Sequence, residues 1–328
     1  MSYIPVPYDP ELEEGLAAFL AMVETVPLRA DTIIRNREIF AAITPPMAEI
    51  VGDRAVEWWD VDVPGPEGAP DVTVTVVRPK GGPRPGAAGI YEIHGGGMIL
   101  GTRFFGIEGL IQSALEYGTV GVSVEYRLAP ENPAPAAAED CYAGFVWMAE
   151  HARELGFDPR RLLVSGFSAG GGLTAAVGIM ARDRRGPAAA GLYMGAPMID
   201  DRNTTVSSRQ YDGIGAWDRN NNDTGWDALL GDRRGTGDVL PHEVPARAAD
   251  LSGLPPVYVE VGAAEVFRDE AVEFAGRVWA TGGQAELHVW AGGYHGFSGS
   301  APGARVSRAA ADAKLSWLRR ILAISPIR

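Results

Sequence analysis

RLLVSGFSAGGGLTAAVGIM, residues 161–180, is the stretch on which the fold turns. RLLVSGF (161–167) is a short apolar run of the kind that forms a buried strand, and GGLTAAVGIM (171–180) carries apolar residues at helical spacing. Between them Gly166-Phe167-Ser168-Ala169-Gly170 fits G-x-S-x-G. With 42 glycines in the chain the pentapeptide alone is a weak signal, and an ordinary glycine-rich turn with a capping serine shares it. The setting carries the weight. A strand that feeds a helix through a serine flanked by small residues is the strained turn that lifts a hydroxyl off the end of a sheet, so Ser168 is the candidate nucleophile.

Upstream, AAGIYEIH (87–94) and TVGVSVEY (119–126) repeat the short apolar run; downstream, GLYMGAP (191–197), PVYVEVG (256–262) and AELHVWA (285–291) do the same. Helical stretches such as AAAEDCYAGFVWMAEHARELG (136–156) lie between most of them, and that alternation builds a parallel sheet covered on both faces. VEWWDVDV (56–63) and DVTVTVVRP (71–79) alternate with period two around PGPEGAP, as antiparallel strands do. Residues 10–45 read as helical, through ELEEGLAAFLAMVETV (11–26) and up to Pro45-Pro46. The sum is an α/β architecture, a mostly parallel eight-stranded sheet with helices on both faces. One connection breaks the rhythm. The segment between Pro197 and Pro255 is too long for a plain loop in a compact domain, so it is expected to hold helices of its own and to form a cap. It leaves the end of the sheet where α/β folds place their ligands.

Acyl transfer passes through a tetrahedral oxyanion, which needs preset N–H donors. His94-Gly95-Gly96-Gly97 follows a strand upstream of Ser168, where successive glycines let bare amides approach a substrate. Ala169, directly after the nucleophile, supplies a further N–H. His94 itself is read as structural, pinning the glycine loop by hydrogen bonds. In folds built on such an elbow the chain order is Ser, then Asp or Glu, then His. Of the five histidines, His242, His288 and His295 follow Ser168. His242 falls in the long connection and His288 inside a strand, whereas His295 stands in AGGYHGF just after the last strand. His295 is the expected general base.

The acid is expected on the loop after PVYVEVG, which reads Ala263-Ala264-Glu265-Val266-Phe267-Arg268-Asp269-Glu270. Its task is to hold the imidazole tautomer and balance the imidazolium. Glu265 comes first and is preferred. Asp269 is the alternative, although it and Glu270 fall in the first turn of a helix, where the dipole favours acids in any case. Met98, Phe167, Tyr211, Ile214 and Trp217, with Ile99 and Trp226 beside them, are candidates to line an apolar substrate pocket.

Lys and Arg total 29 against 42 Asp and Glu, a net charge of −13. That balance repels phosphate backbones and anionic bilayers, so neither a nucleic-acid nor a membrane partner is expected. Together with the lack of an amphipathic membrane-binding segment, it points to short acyl chains rather than to lipid interfaces. Cys141 is the one cysteine, which excludes an intramolecular disulfide and suits a reducing compartment. MSYIPVPYDPELEEG lacks the pattern of a signal peptide, and no apolar run reaches the roughly 18 residues of a membrane span, so a cytoplasmic protein is the expectation. No metal or organic cofactor is needed, and the exposed final strand makes an edge-paired homodimer an expectation.

Four separated segments agree with one family: HGGG at 94–97, EYRLAPENPAPAAAEDCYA at 125–143, GFSAGG at 166–171, and the acid and HGF segments near 265 and 295. On these residues the chain resembles the hormone-sensitive-lipase-like esterases of the α/β-hydrolase fold, over roughly residues 70 to 320. The resemblance implies that Gly96, Gly97 and Ala169 are the oxyanion donors and that Tyr126–Glu131 is a structural loop packed beneath the site. It implies a cap built from residues 1–50 and 198–250 on a catalytic domain of 51–197 and 251–328. It implies a serine carboxylesterase acting on small ester substrates through an acyl-enzyme. A lactonase or amidase with the same triad is the nearer alternative. A non-catalytic small-molecule receptor on this scaffold, which lacks the catalytic histidine, is the more distant one. The chain departs from the family at the acid loop. The family's Asp-Pro-Leu-x-Asp-Glu is replaced by Glu265-Val266-Phe267-Arg268-Asp269-Glu270, a longer acid without the proline that presets the turn.

Overall fold

Strands rich in Val, Ile and Gly with no polar alternation must be covered on both faces, and here they are. The computed structural model describes residues 3–23 and 26–327. β1 (Val56–Val63) and β2 (Val72–Pro79) pair antiparallel, Val56 opposite Pro79 and Val63 opposite Val72. β3 (Ala87–Ile93), β4 (Val120–Val124), β5 (Phe157–Phe167), β6 (Gly191–Gly195), β7 (Val257–Gly262) and β8 (Ala285–Trp290) complete an eight-stranded sheet of order β1-β2-β4-β3-β5-β6-β7-β8. β2 meets β4 antiparallel, and the remaining neighbours run parallel. Every residue of β4 and β6 is buried, as doubly covered strands require. β8 is an edge strand with no fully buried residue.

The helices run in chain order α1 (Glu13–Val23), α2 (Ile33–Ile43), α3 (Met47–Val51), α4 (Ile107–Tyr117), α5 (Ala136–Glu150) and α6 (Ala152–Leu155). They continue with α7 (Ala169–Asp183), α8 (Val206–Gln210), α9 (Arg219–Leu230), α10 (Arg268–Ala280), α11 (Phe297–Ser300) and α12 (Arg305–Leu322). Ile107 and Leu110 of α4 and Trp317 of α12 pack on Leu163, Tyr193 and Tyr258 of one sheet face. Phe145 of α5, Val177 of α7 and Phe274 of α10 join Val164, Leu192 and Val259 in the larger core on the other. Among the described residues no helix is long and apolar enough to cross a membrane.

The reading of 10–45 as one helical stretch needs correction. α1 and α2 are separated around Pro27–Arg29, where the Thr32 hydroxyl donates to the Pro27 carbonyl at 2.7 Å and accepts the Arg29 N–H at 2.8 Å. A local side-chain bond competes there with the helical ladder. Glu24 and Thr25, part of the expected first helix, lie outside the described residues. The expected helix 136–156 is likewise two, joined at His151. The long connection holds α8 and α9, each capped by a side chain. Thr205 accepts from the Ser208 N–H and Asp218 from the Asn221 N–H. The loops that follow β3, β5, β6, β7 and β8 gather at one end of the sheet, and they carry His94, Ser168, Pro197, Glu265 and His295.

Candidate active site

Ser168 caps α7 with φ 60° and ψ −121°, a conformation that costs a non-glycine residue on the order of 1–3 kcal/mol. Crowding and pairing hold it there. A methyl group on Gly170 would lie 1.9 Å from the Ile93 carbonyl oxygen, and one on Gly166 would lie 2.2 Å from that of Gly170. The Ser168 N–H donates to the Gly195 carbonyl at 2.7 Å, while its carbonyl accepts from Met198 at 3.0 Å and Gly172 at 3.1 Å. The elbow is thereby tied to the end of β6.

His295 faces it. Its Nε2 lies 3.0 Å from Ser168 Oγ and its Nδ1 2.5 Å from Glu265 Oε2. A carboxylate can only accept, so Nδ1 carries the proton toward Glu265 and Nε2 presents a lone pair to the hydroxyl. The rings of Phe167 and Phe267 flank the imidazole at centroid distances of 4.8 and 5.1 Å. Glu265 is buried, and its second oxygen accepts the Gly262 N–H at 2.7 Å. Two backbone bonds clamp the acid loop to the histidine loop, Ala263 N–H to Trp290 O at 2.8 Å and Ala264 N–H to Gly293 O at 2.9 Å.

The other carboxylates of the loop point elsewhere. Asp269 accepts from the Ser207 N–H at 2.7 Å and from Arg268 at 2.7 Å. Glu270 is buried and accepts from the N–H groups of Ile199 at 2.9 Å and Asp200 at 3.2 Å. Burial, then the neighbouring Asp200 charge, pushes the Glu270 carboxyl well above its ordinary range. Both side chains therefore serve as anchors for the start of the connection after β6, beyond the helix-dipole role expected of them.

The glycine loop touches the elbow, since a methyl on Gly95 would come within 3.3 Å of Ser168 Cβ. Gly96 and Gly97 lie at φ 115° and 63°. Among the described residues, no backbone acceptor takes the N–H groups of Gly96, Gly97 or Ala169. His94 Nδ1 sits 2.8 Å from the Gly95 carbonyl, and its ring stacks on Tyr126 at 4.0 Å. The Tyr126 hydroxyl donates to the His94 carbonyl at 3.0 Å. Burial pushes the imidazole of His94 below its ordinary pKa, favouring the neutral donor that holds the loop.

The remaining candidates scatter. The Trp217 ring edge lies against the glycine loop, 2.5 Å from where a methyl on Gly97 would be. Phe167 flanks His295, and Met98 is buried behind the glycine loop with Ile99. Tyr211 and Trp226 are core residues rather than open pocket wall. Tyr211 is buried with its hydroxyl donating to the Val6 carbonyl, and Trp226 is fully buried. Ile214 is 43% exposed. His242 lies 4.0 Å from Glu139, and His288 stacks between Tyr258 and Trp290. Sequence reading passed over Phe267, although an apolar residue within an acidic loop was a usable signal. It also passed over Gly225 of α9, where a methyl would meet the Gly97 carbonyl at 2.9 Å, and nothing local marks that contact. Among the described residues, no cluster of three or more His, Cys, Asp or Glu is arranged to hold a metal.

Residues 90–299 match the family model of the alpha/beta hydrolase fold. The carboxylesterase NlhH of Mycobacterium tuberculosis is 31% identical over 281 residues, 85% of this chain and 86% of that protein. A solved structure of a bacterial heroin esterase is 34% identical, with a TM-score of 0.87 over 96% of this chain and 98% of its own. That of an esterase from the bacterial hormone-sensitive lipase family is 28% identical, with a TM-score of 0.78 over 96% and 99%.

Proposed function

We propose, for a chain that belongs to the hormone-sensitive-lipase-like esterases of the α/β-hydrolase fold, a division of labour by which it cleaves its substrate. The protein is a carboxylic ester hydrolase. In our reading Ser168 Oγ attacks the ester carbonyl while His295 Nε2 takes its proton, and Glu265 stabilises the imidazolium through Nδ1. The oxyanion rests on the N–H groups of Gly96, Gly97 and Ala169. His295 then protonates the leaving alcohol, and a water repeats the cycle on the acyl-enzyme to release the acid. The observation that carries this reading is the unbroken chain from Ser168 through His295 to Glu265, with bonds of 3.0 and 2.5 Å.

The substrate is a small ester with a short acyl group. The net charge of −13 disfavours anionic lipid surfaces and supports a small ester taken from water. The Trp217 ring edge crowds Gly97, which also favours a small substrate. Residues 1–50 and 198–250 act as the cap, and the free edge of β8, where Val289 is 41% exposed, serves as a homodimer contact. The buried thiol of Cys141 suits work in the cytoplasm. The test is kcat/KM across 4-nitrophenyl acetate, butyrate, octanoate and dodecanoate, with a lactone and an anilide alongside. A maximum at acetate or butyrate is expected. Faster cleavage of the lactone or anilide, or sharp activation by emulsified long-chain triglyceride, would overturn the assignment.

A further inference from the structure

Arg37 sits on α2, 62 to 94 residues in sequence from its partners, yet its guanidinium spans two loops at the site. Nε donates to the Ile99 carbonyl at 2.7 Å. One terminal nitrogen donates to the Ala129 carbonyl at 2.5 Å and to Glu131 at 2.9 Å, and the other donates to Glu131 at 2.8 Å. Ile99 closes the turn that presents Gly96 and Gly97, because the N–H groups of Ile99 and Leu100 donate to the Gly96 carbonyl at 3.1 and 2.8 Å. The second loop returns to that turn, with the Ala129 N–H donating to Met98 O at 3.0 Å. Met98 lies at φ 62°, a left-handed conformation that a non-glycine residue keeps only where its surroundings hold it, whereas Gly97 adopts its φ of 63° freely.

We infer that Arg37 is a positioning residue for the oxyanion hole. Its planar fork staples the Gly96–Ile99 turn to the Ala129–Glu131 loop and keeps the Gly96 and Gly97 N–H groups aimed at the developing oxyanion. The geometry favours arginine over lysine. Three acceptors on two loops are met by one rigid guanidinium, whereas an ammonium is a point charge on a flexible stem. Through this residue the helical N-terminal segment contributes to the chemistry without touching substrate. The inference rests on the reading of Gly96 and Gly97 as oxyanion donors.

The experiment compares wild type, Arg37→Met and Arg37→Lys for kcat and KM on 4-nitrophenyl acetate, for melting temperature, and for inhibition by an aryl trifluoromethyl ketone and its plain methyl ketone. The fluorinated ketone forms a hemiketal oxyanion on the serine and reports the hole, while the methyl ketone reports ground-state binding. For Arg37→Met, kcat is expected to fall by about ten- to a hundredfold at nearly constant KM. This is less than the roughly hundred- to thousandfold cost of deleting a donor outright. Its preference for the fluorinated over the methyl ketone should shrink by a similar factor, and Arg37→Lys should recover part of both. Lower melting temperature with unchanged kcat and ketone preference in the folded variants would reduce Arg37 to a structural brace and overturn the inference. Should Arg37→Met fail to fold, wild-type kcat and ketone preference in Arg37→Lys would do the same. A wild-type enzyme that shows no ketone preference would instead remove the oxyanion-hole reading itself.

Discussion

The nucleophile elbow, Gly166–Gly172, and the acid loop, Gly262–Glu270, do the same structural job. Each leaves the C-terminal end of a parallel strand, turns within a few residues and starts a helix. They are specified by different physics. At the elbow there is no space, and Gly170 with its neighbour 1.9 Å from a missing methyl is a steric necessity that any serine elbow shares. The acid loop has one such crowded point, Gly262, where a methyl would lie 2.0 Å from the Gly293 carbonyl oxygen, but residues 263–270 contain no glycine and are held by remote partners: Trp290 at the end of β8, Gly293 on the loop after it, and Ser207, Ile199 and Asp200 on the connection after β6. A steric requirement is written into local sequence as a motif. A hydrogen-bond partner many residues away is not, so the acid loop shows only three carboxylates whose separate uses depend on the fold.

The largest test bears on the elbow. Ser168→Ala should lower kcat on the order of a millionfold while leaving the melting temperature near that of wild type, since the triad acts as a unit and the crowding is unchanged. Stopped-assay turnover combined with calorimetry reads both. Ester turnover near the wild-type rate would show that the elbow's geometry is not tied to its chemistry.

The second test bears on the acid loop, where three similar side chains have three sets of partners. Glu265→Gln should lower kcat by about ten-thousandfold with little change in KM, because an amide disfavours the reactive tautomer and leaves the imidazolium uncompensated. Asp269→Asn should keep most of its activity and lose on the order of 1 kcal/mol of stability through the weakened bond to Ser207. A dead Asp269→Asn beside an active Glu265→Gln would reverse the assignment and make the loop's contacts misleading.

The same division explains what could be read from the chain. All eight strands fall within a few residues of the expected segments, because apolar runs between turn residues have few other outcomes. Ser168, the glycine loop and His295 were legible for steric and topological reasons. Glu265 was favoured by position alone, and its bond to His295 appears only once β7 and β8 lie side by side. Tyr211 looked like pocket wall because aromatic composition cannot tell a lining residue from a core one; its hydroxyl is spent on Val6. Arg37 was invisible. On α2 it reads as a solvated basic residue, and its acceptors lie 62 and 92 residues away in sequence.

The smallest expected effect separates Glu270 from its neighbours. Its carboxyl is buried and raised well above the ordinary 4.5, first by desolvation and then by the charge of Asp200. A raised pKa means the folded state binds this proton more tightly than the unfolded chain. The stability it contributes is therefore complete below the ordinary carboxylate pKa and is lost as pH climbs from there through the folded value. Glutamine keeps an acceptor for the Ile199 and Asp200 N–H groups and has no proton to lose. Glu270→Gln should thus melt nearest to wild type, or below it, at acid pH and gain steadily on wild type as pH rises above 4.5, with kcat little altered. Melting curves of wild type and Glu270→Gln across mildly acid to mildly alkaline buffers decide it. A Glu270→Gln curve parallel to wild type would mean that this buried anchor is ionised without penalty.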